Sequence, residues 1–401
     1  MLTALDIGSS FVKGIIVEEK NNRFNVINVF KTPSSGFKKG ILVDVQEGYN
    51  TFLTVANDIK KINKKALKNT FITVNSEHIK GRIAKGSTVV ARADLEIQKD
   101  DIEQAIESAK AGKKQTNFSV LHVINREFIV DDIGDFQEEP IGMSGSKLEA
   151  SVYLVEAFSP HLNTLYSVLE KAGFFLTGTI FTPIASAKAV LSKKQINLGV
   201  MMIDFGFSTT SIVVYEDGKM SFAKSLPFGS SLITNDLARV LKISVDLAEK
   251  IKLMYGCAVA AEVNKKEMID LSEFDAELKK TDISKRFIAE IIQSRMEEII
   301  DLIDNELKGL GHSLELPGGL VLTGGGVKLT GSVDLFKQKM KLAVKIGFPD
   351  LSFFDIINPT YQDMLDDPEF SAAVGLVLLS SLNVSEKRKV SIKNIIKNFL
   401  P

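Results

Sequence analysis

Two stretches of this chain share one construction, and that repetition limits the folds open to it. Residues 2–17 (LTALDIGSSFVKGIIV) and 200–215 (VMMIDFGFSTTSIVVY) each contain an apolar strand, a short turn that begins with Asp, and an apolar returning strand. In both stretches a polar turn then leads into a third strand. Asp204 follows Asp6 by 198 residues, about half of the 401-residue chain. The sequence therefore predicts two related α/β halves, each with one carboxylate turn at a strand end.

Length and composition exclude several classes of protein. A chain of 401 residues exceeds what one core usually serves, so at least two domains are expected. No apolar run approaches the roughly 18 residues of a membrane-spanning helix. A formal net charge of -1 provides no overall field for nucleic acid, and we expect no nucleic-acid partner. The one cysteine, Cys257, excludes a disulfide framework or a cysteine metal cluster, and we expect it to be a buried thiol.

A further unit interrupts the first half. Residues 78–158 contain a hairpin-like stretch (HIKGRIAKGSTVVA), an amphipathic helix at 98–110 and two strands, which together predict a self-contained α+β insertion. Five units follow from this order of elements. They are a first core subdomain at 1–77 and 159–196, the insertion at 78–158, a second core subdomain at 197–240 and 317–382, an outer subdomain at 241–316, and a linker with a terminal helix at 383–401.

The two carboxylate turns suit phosphate and magnesium chemistry. Glycine lets backbone N–H groups approach phosphate oxygens, hydroxyl side chains add donors, and a carboxylate can hold a hydrated Mg²⁺. A single turn of this kind is often only a structural hairpin, but two in matching positions favour a site. A third element, LVLTGGG at 320–326, predicts a buried strand whose glycines can lie against an adenosine and its phosphates. The sequence contains neither a Rossmann fingerprint nor a G-x-x-x-x-G-K-[ST] loop.

These motifs resemble those of the superfamily of actin, heat-shock-70 proteins and sugar kinases, in which ATP and Mg²⁺ lie in a cleft between two related lobes. Within it, the chain is most similar to the bacterial cell-division FtsA family. SGFKKGILVDV, IKGRIAKGSTVVARADLEIQKDDIEQAI, LHVINREFIVDD, PIGMSGSKLEA and LAEKIKLMYGCA follow that family's patterns in order. The resemblance implies an actin-like fold of two related ribonuclease-H-like domains, with a small α+β subdomain inserted in the first lobe and a C-terminal amphipathic helix.

The resemblance also implies roles for individual residues. Asp6 and Asp204 would hold Mg²⁺ through water, and Lys13 would face the phosphates. Glu249 and Lys252, three residues apart on one helix, would contact the ribose and adenine. The remaining expected nucleotide contacts come from the two turns and the glycine segments, and they are Gly8, Ser9, Ser10, Gly206, Phe207, Ser208, Thr209, Thr210, Gly229, Gly324, Gly325, Gly326 and Val327.

Two positions depart from the family pattern. Thr182 stands where many relatives carry a carboxylate or amide that positions the attacking water, and Ser230 replaces the second glycine of the pair that begins at Gly229. We therefore expect ATP binding with at most weak ATPase activity, and the sequence names no catalytic residue.

The last segment carries a basic amphipathic pattern. Ile392, Ile395, Ile396 and Phe399 recur at helical spacing, and Leu400 widens their apolar stripe. Another face carries the basic residues Lys389, Lys393 and Lys397. Apolar area to bury, with cations for anionic lipid, is what an interfacial membrane anchor needs. The alternative is a helix that docks on the protein's own body.

The resemblance implies a cell-division function. The expected protein is peripheral, lies on the cytoplasmic face of the membrane at the division site, and forms actin-like filaments with itself. It would anchor filaments of the tubulin-like protein FtsZ through the outer subdomain, and would recruit later division proteins through the insertion. One alternative is an actin-like pilus-assembly scaffold of the PilM type. Another is a small-molecule kinase, which needs an acidic base near the γ-phosphate, and none follows the first hairpin.

Overall fold

The computed structural model describes residues 1–112, 115–136, 138–274, 282–309 and 316–386, with the backbone alone at 135 and 381–386. The helices are α1 (Val45–Asn63), α2 (Lys99–Ala111), α3 (Ser159–Ala172), α4 (Thr182–Val190), α5 (Lys193–Leu198), α6 (Ser231–Leu241), α7 (Val245–Tyr255), α8 (Lys285–Lys308), α9 (Ser332–Met340), α10 (Pro359–Leu365) and α11 (Ser371–Glu386).

Most strands belong to one of two large sheets. The strands are β1 (Leu2–Ile7), β2 (Phe11–Lys20), β3 (Arg23–Pro33), β4 (Phe37–Lys38), β5 (Ile41–Leu42), β6 (Thr70–Val74), β7 (Ile79–Val89), β8 (Phe118–Val130), β9 (Ile133–Phe136), β10 (Lys147–Phe158), β11 (Leu176–Phe181), β12 (Val200–Phe205), β13 (Thr210–Glu216), β14 (Lys219–Leu226), β15 (Met268–Asp270), β16 (Asp282–Ser284), β17 (Leu320–Thr323), β18 (Val344–Ile346) and β19 (Phe354–Asp355).

The first sheet has the order β11-β6-β1-β2-β3-β19. Strands β1, β2 and β3 pair antiparallel, whereas β6 and β11 run parallel to β1. The ends of β1, β6 and β11 therefore meet at one edge of the sheet, which brings the first carboxylate turn beside the start of α4. Helix α11 packs against β1, β2, β6 and α4. The last described helix thus contributes to the core of the first sheet.

The second sheet repeats this arrangement and extends it. Its order is β18-β17-β12-β13-β14-β7-β10-β8-β9, in which β12, β13 and β14 form the second antiparallel set and β17 runs parallel to β12. The two halves therefore share one local topology, as the repeated hairpins predict. The outer part of the second half contains α7, α8 and the small β15–β16 ladder.

The insertion has a core of its own but is not an independent sheet. Residues such as Ile97, Ile102, Phe128 and Leu148 form a separate apolar cluster beneath α2. However, β7 pairs with β14 at Lys80 and Lys224, so the strands of the insertion continue the sheet of the second half. The predicted insertion thus keeps its own core, and the link between its strands and the second sheet is an additional feature. Pairing between strands so far apart in sequence leaves no local pattern that could predict it.

The predicted hairpin at the start of the insertion is wrong. Residues 79–89 form one strand, β7, which pairs with β10 along its whole length. The glycines of β7 do not form a turn. They leave room for neighbouring side chains and backbone to pack closely against the strand. A Cβ on Gly81 would lie 1.9 Å from the Tyr153 hydroxyl oxygen, and one on Gly86 would lie 2.1 Å from the backbone nitrogen of Ala109 in α2.

Two further expectations concern single elements. The Cys257 thiol is buried, as predicted. The apolar stripe of α8 is buried in the core of the second half. Within the described ranges, no helix has the length and apolar character needed to cross a membrane. The predicted amphipathic helix, with Ile392, Lys393, Ile395, Ile396, Lys397, Phe399 and Leu400, lies outside the described residues.

Candidate functional site

The two carboxylate turns are closed in the same way. The Gly8 N–H donates to the Phe11 carbonyl over 3.1 Å, and the Gly206 N–H donates to the Thr209 carbonyl over 3.0 Å. A Cβ on Gly8 or Gly206 would lie within 2.9 Å of the carbonyl oxygen that closes its turn. Each turn therefore requires glycine at this position because the backbone folds back on itself.

A cavity of about 510 Å³ lies between the two turns and collects polar groups from both halves. This volume is in the range of small-molecule sites. Most of the residues that the sequence predicts as nucleotide contacts line it. They are Asp6, Gly8, Ser9, Ser10, Lys13, Asp204, Gly206, Phe207, Ser208, Thr209, Glu249, Lys252, Gly324, Gly325 and Gly326.

Three predicted contacts lie behind the cavity wall instead of on it. Thr210 is fully buried, and its hydroxyl donates to the Phe228 carbonyl over 2.8 Å. Val327 packs in the apolar core of the second half. A Cβ on Gly229 would lie 2.6 Å from the Gly206 carbonyl oxygen, so Gly229 packs directly against the second turn. These three residues pack behind the cavity wall and hold the residues that line it in position.

Asp6 and Asp204 are each oriented by a hydroxyl group. The Thr73 hydroxyl donates to Asp6 Oδ1 over 2.8 Å, and the Ser186 hydroxyl donates to Asp204 Oδ2 over 2.6 Å. Burial raises the pKa of Asp204, and the neighbouring charge of Asp6 raises it further, against the hydrogen bond from Ser186. The charged form of Asp204 is therefore held at a cost that a bound cation would relieve.

These carboxylates are better suited to Mg²⁺ than to a metal ion whose ligands all come from the protein. The described residues contain no group of three or more His, Cys, Asp or Glu side chains placed to hold a metal ion. Mg²⁺ keeps several of its waters and is bound through one or two carboxylates together with phosphate oxygens. Asp6 and Asp204 would supply those two carboxylates, and the ion would neutralise charge on the phosphates.

Lys13 lies beside the first carboxylate. Its Nζ is 3.0 Å from Asp6 Oδ2, and it also donates to the Glu369 carbonyl. Burial disfavours the charged ammonium, but the charge and hydrogen bond of Asp6, followed by the charges of Asp204 and Glu369, raise the pKa of Lys13 above its usual value. Lys13 is thus a fixed cation at the end of the cavity where phosphate oxygens would lie.

No sequence motif indicates several of the residues at this end of the cavity. Glu369 lines it and accepts two 2.9 Å hydrogen bonds from Lys31, whose Nζ lies over the ring of Phe11. Asn75 lines it as well and donates to the hydroxyl groups of Thr209 and Ser211. Lys31, Asn75 and Glu369 lie outside the repeated turns, and only strand pairing and the packing of α11 bring them here.

The cavity wall also contains a buried lysine from α7. Lys252 Nζ is 2.7 Å from Glu249 Oε2 and 3.0 Å from the Thr234 hydroxyl oxygen, and that hydroxyl donates to Glu249. Burial lowers the pKa of Lys252, against the effect of Glu249. The two side chains meet because they are three residues apart on α7. With Thr234 they form a polar group suited to the hydroxyl groups of a ribose.

The glycine segment after β17 lies against the second carboxylate. Gly324 has a φ of +88°, and a Cβ there would lie 2.3 Å from Asp204 Oδ1 and 2.8 Å from the Phe205 carbonyl oxygen. Only glycine adopts this φ readily and also fits into the small space beside Asp204. The bare backbone of Gly324, Gly325 and Gly326 therefore forms one wall of the cavity, where a flat ligand could approach it closely.

The two positions that depart from the family pattern both line the cavity. The Thr182 hydroxyl donates to the Val74 carbonyl over 3.0 Å, so its proton is engaged with the backbone. Ser230 lies at the start of α6, where its N–H donates to the Gly206 carbonyl. Thr182 cannot act as a general base, because a neutral hydroxyl group is too weakly basic to accept a proton near neutral pH.

The site as a whole combines two carboxylates, fixed cations, a glycine wall and the polar group of Thr234, Glu249 and Lys252. This set can bind a phosphorylated nucleoside together with a divalent cation. It contains the binding and charge-neutralising parts of a phosphoryl-transfer site, whereas the position of Thr182 has no carboxylate.

Family models match two parts of the chain. A model described as "Cell division protein FtsA" matches residues 201–375, and one described as "SHS2 domain inserted in FTSA" matches residues 76–156. The chain is 30% identical to the cell division protein FtsA of Neisseria meningitidis, over 94% of this chain and 89% of that protein. It is 29% identical to FtsA of Bacillus subtilis, over 98% of this chain and 86% of that protein.

Solved structures of low sequence identity share the fold. A PilM–PilN type IV pilus biogenesis complex matches with a TM-score of 0.64 at 16% identity, covering 94% of this chain and 97% of the other. MreB5 of Spiroplasma citri bound to AMPPNP matches with a TM-score of 0.57 at 14% identity, covering 97% and 98%. The predicted two-lobed actin-like fold with an inserted subdomain is thereby confirmed.

Proposed function

Because this chain belongs to the FtsA family of cell division proteins, we propose that it binds ATP with Mg²⁺ in the cavity and links FtsZ filaments to the membrane. The observation that carries the nucleotide part is the meeting of two identically closed carboxylate turns and a glycine wall around one cavity. The MreB5 structure with AMPPNP, which has the same fold, supports nucleotide binding.

In this proposal each part of the cavity has a separate task. Asp6 and Asp204 hold Mg²⁺ through water, and Lys13 with the backbone N–H groups of both turns binds the phosphates. Glu249 and Lys252 bind the ribose end, and the glycine wall lies against the adenosine. Turnover is slow or absent, because Thr182 cannot take a proton from the attacking water. Nucleotide binding then controls assembly of the protein into filaments.

The second part of the proposal concerns the membrane and the division proteins. Residues 389–400 form an amphipathic anchor on the cytoplasmic leaflet, and the outer part of the second half, roughly 241–316, contacts FtsZ. The insertion recruits later division proteins. One short helix binds lipid weakly, so a filament that presents many copies would bind far more tightly than a single chain. The PilM-type alternative rests on likeness of fold alone.

Co-sedimentation with FtsZ on anionic vesicles tests this proposal. FtsZ should pellet with vesicles only when this protein is present, and pelleting should increase with Mg·ATP. Removal of residues 390–401 should release both proteins into the supernatant while nucleotide binding is retained. FtsZ that remains in the supernatant with the full chain would contradict the tether, and pelleting that survives the truncation would contradict the anchor.

A further inference from the structure

A dense group of exposed lysines lies at the end of α1 and in the turn that follows it. Lys60, Lys61, Lys64, Lys65 and Lys68, here called the lysine cluster, are all exposed. The stretch from 60 to 68 (KKINKKALK) contains five lysines and no acidic residue. Lysines in the last turn of a helix can be explained by the helix dipole, which accounts for the first two. It does not account for the three in the 3-10 turn beyond the helix.

The charge of the cluster is hardly compensated. Asp58 pairs with Lys61 at 2.6 Å, but both side chains are mostly exposed, so this pair contributes little. Across the described part of the chain, Lys64, Lys65 and Lys68 have no carboxylate within ion-pair distance. At the end of α3, Glu170 and Lys171 are both exposed and cancel each other. The surface therefore retains a strong local positive charge, although the whole chain has a net charge of -1.

Large apolar side chains lie beside the cluster. Ile62 is 42% exposed and Phe175 is 63% exposed. The Phe175 N–H donates to the Leu67 carbonyl over 2.9 Å, and the Thr70 N–H donates to the Phe175 carbonyl over 3.0 Å, which fixes Phe175 next to the lysine turn. An exposed aromatic side chain next to a group of lysines is the combination that binds the interface of an anionic bilayer.

The cluster lies at the edge of the first sheet opposite the nucleotide cavity. Thr70 begins β6 and Leu176 begins β11, so Lys68 and Phe175 come just before two parallel strands. The far ends of these strands lead to Asn75 and Thr182 in the cavity wall. A surface that bound lipid here would leave the cavity open to solvent.

Helix α11, which precedes residues 387–401 (here called the tail), ends at this same edge. Helix α11 begins beside the cavity, where Ala372 is one of the lining residues, and it packs across β1 and β6. Sixteen residues of helix measure about 24 Å, and a six-residue strand such as β1 measures about 20 Å. The end of α11 therefore reaches the edge that carries the lysine cluster, and residues 387–401 continue from there.

We propose that the lysine cluster, with Ile62 and Phe175, is a second membrane-binding surface that contacts anionic lipid headgroups beside the tail. This inference rests on the proposed function, because it assumes that the tail brings the protein to a membrane. The two contacts together hold the first sheet edge-on to the bilayer, with the cavity on the side away from it. A single point of attachment would leave the orientation of the protein free.

Vesicle binding by charge-neutralised full-length chains tests the proposal. The cluster variant carries Lys60→Gln, Lys64→Gln, Lys65→Gln and Lys68→Gln. The matched control carries four exposed lysines of the second half changed in the same way, which are Lys265→Gln, Lys266→Gln, Lys337→Gln and Lys345→Gln. Both variants lose the same charge, and both keep the tail.

The cluster variant should bind vesicles that contain about one third phosphatidylglycerol at least about tenfold more weakly than the control. The control should stay within about twofold of the unchanged chain, and high salt should remove the difference between the variants. Equal binding of the two variants would overturn the proposal. So would a cluster variant that binds lipid normally but fails to bring FtsZ to the pellet, because that result assigns the surface to an acidic protein.

A fluorescent probe reports the contact directly. The one natural cysteine, Cys257, is buried, so Phe175→Cys can be labelled selectively with an environment-sensitive dye. Phe348→Cys is the matched control, because Phe348 is 56% exposed and follows β18 at the cavity edge of the second sheet. Anionic vesicles should raise and blue-shift the emission at 175 and leave that at 348 unchanged. An unchanged signal at 175 would contradict the contact.

The chain without residues 390–401 separates this proposal from the anchor itself. If truncation leaves pelleting unchanged, the tail is not the anchor, and the comparison of the two lysine variants still decides the role of the cluster. If truncation abolishes pelleting while the two lysine variants bind equally, the anchor stands and the cluster proposal fails.

Discussion

The hydroxyl group of Ser208 donates a 2.6 Å hydrogen bond to the hydroxyl group of Ser9. These residues lie in the two carboxylate turns of a chain that repeats its hairpin after 198 residues. Ser9 is the third residue after Asp6, and Ser208 is the fourth after Asp204. The bond joins the halves at the point where both turns face one cavity. Asn75 adds a second link through the hydroxyl group of Thr209. The repeated pattern in the sequence thus becomes a single site in space.

Replacement of Asp204 by Asn should improve stability and impair binding. Because the pKa of Asp204 is raised by burial and by Asp6, the folded chain holds its proton more tightly than the unfolded chain. Ionised Asp204 therefore costs stability, and that cost develops as the pH rises from the ordinary value of 3.8 through the raised pKa. At neutral pH, Asp204→Asn should raise the Tm of the nucleotide-free protein by about 2 °C.

The same variant should lose the increase in Tm that Mg·ATP gives the unchanged chain, since it lacks one of the two carboxylates for Mg²⁺. Thermal unfolding with and without Mg·ATP measures both effects. A lower Tm without nucleotide would contradict the account of the buried charge. A full shift with Mg·ATP would remove Asp204 from the metal site.

Gly324→Ala should destabilise the fold more than Gly142→Ala, although the backbone strain is the same at both positions. Both Gly324 and Gly142 have a positive φ, +88° and +84°, and the strain for alanine costs about 1 kcal/mol in each. Around Gly142 no atom lies within 4 Å of the added Cβ, whereas at Gly324 it meets Asp204 and the Phe205 carbonyl. Urea denaturation should therefore show a clearly larger loss for Gly324→Ala. Equal losses would mean that the glycine wall has room for a side chain.

Glu249→Gln should destabilise the fold through Lys252. The substitution leaves a buried ammonium group, 7% exposed, without its carboxylate partner. Glu249 is partly exposed, so the loss in free energy of unfolding should be about 1–2 kcal/mol, below that of a fully buried pair. Asp304→Asn is the control, because its partner Lys308 is 71% exposed, and it should cost less than about 0.5 kcal/mol. Equal effects of the two variants would contradict the burial of Lys252.

Acid should destabilise the contact between the insertion and the first sheet. His122 of β8 is buried and neutral, and its Nε2 accepts the Phe181 N–H over 2.8 Å. Burial lowers its pKa from 6.5 to about 3, so between these values the unfolded chain binds a proton that the folded chain does not. This contribution to stability is complete above pH 6.5 and is lost as the pH falls, by about 2 kcal/mol between pH 7 and pH 5.

His122→Leu tests this assignment. The variant should be less stable at pH 7, because the Phe181 N–H loses its acceptor. Its own loss of stability between pH 7 and pH 5 should be about 2 kcal/mol smaller than that of the unchanged chain. Urea denaturation at the two pH values measures the difference. The same pH dependence in both chains would show that His122 is not the titrating group.

Local patterns were sufficient to predict the parts of the site that lie within one motif. Asp6 and Asp204 could be predicted because each follows an apolar strand and precedes glycine and hydroxyl residues, and the closing bonds of both turns depend on that order. Glu249 and Lys252 could be paired because they are three residues apart on one helix. In these places the residues that meet are neighbours in sequence.

Residues from distant segments could not be predicted in this way. Glu369 reaches the cavity because α11 packs on the first sheet, and no motif surrounds it in the sequence. The glycines of β7 resemble turn residues, but the space they leave is filled by Tyr153 and by α2. The packing role of these glycines is visible only once the neighbouring strand and helix are in place. The continuation of the second sheet through Lys224 and Lys80 is likewise a contact between remote segments.

A calorimetric titration of the protein with ATP tests the central claim most directly. If the two carboxylate turns and the glycine wall form one magnesium-dependent nucleotide site, ATP should bind with a stoichiometry of about one per chain. Its affinity in Mg²⁺ should be at least about tenfold higher than in EDTA, because Asp6 and Asp204 repel the phosphates when no cation lies between them. Absence of binding, or the same affinity with and without Mg²⁺, would contradict the account.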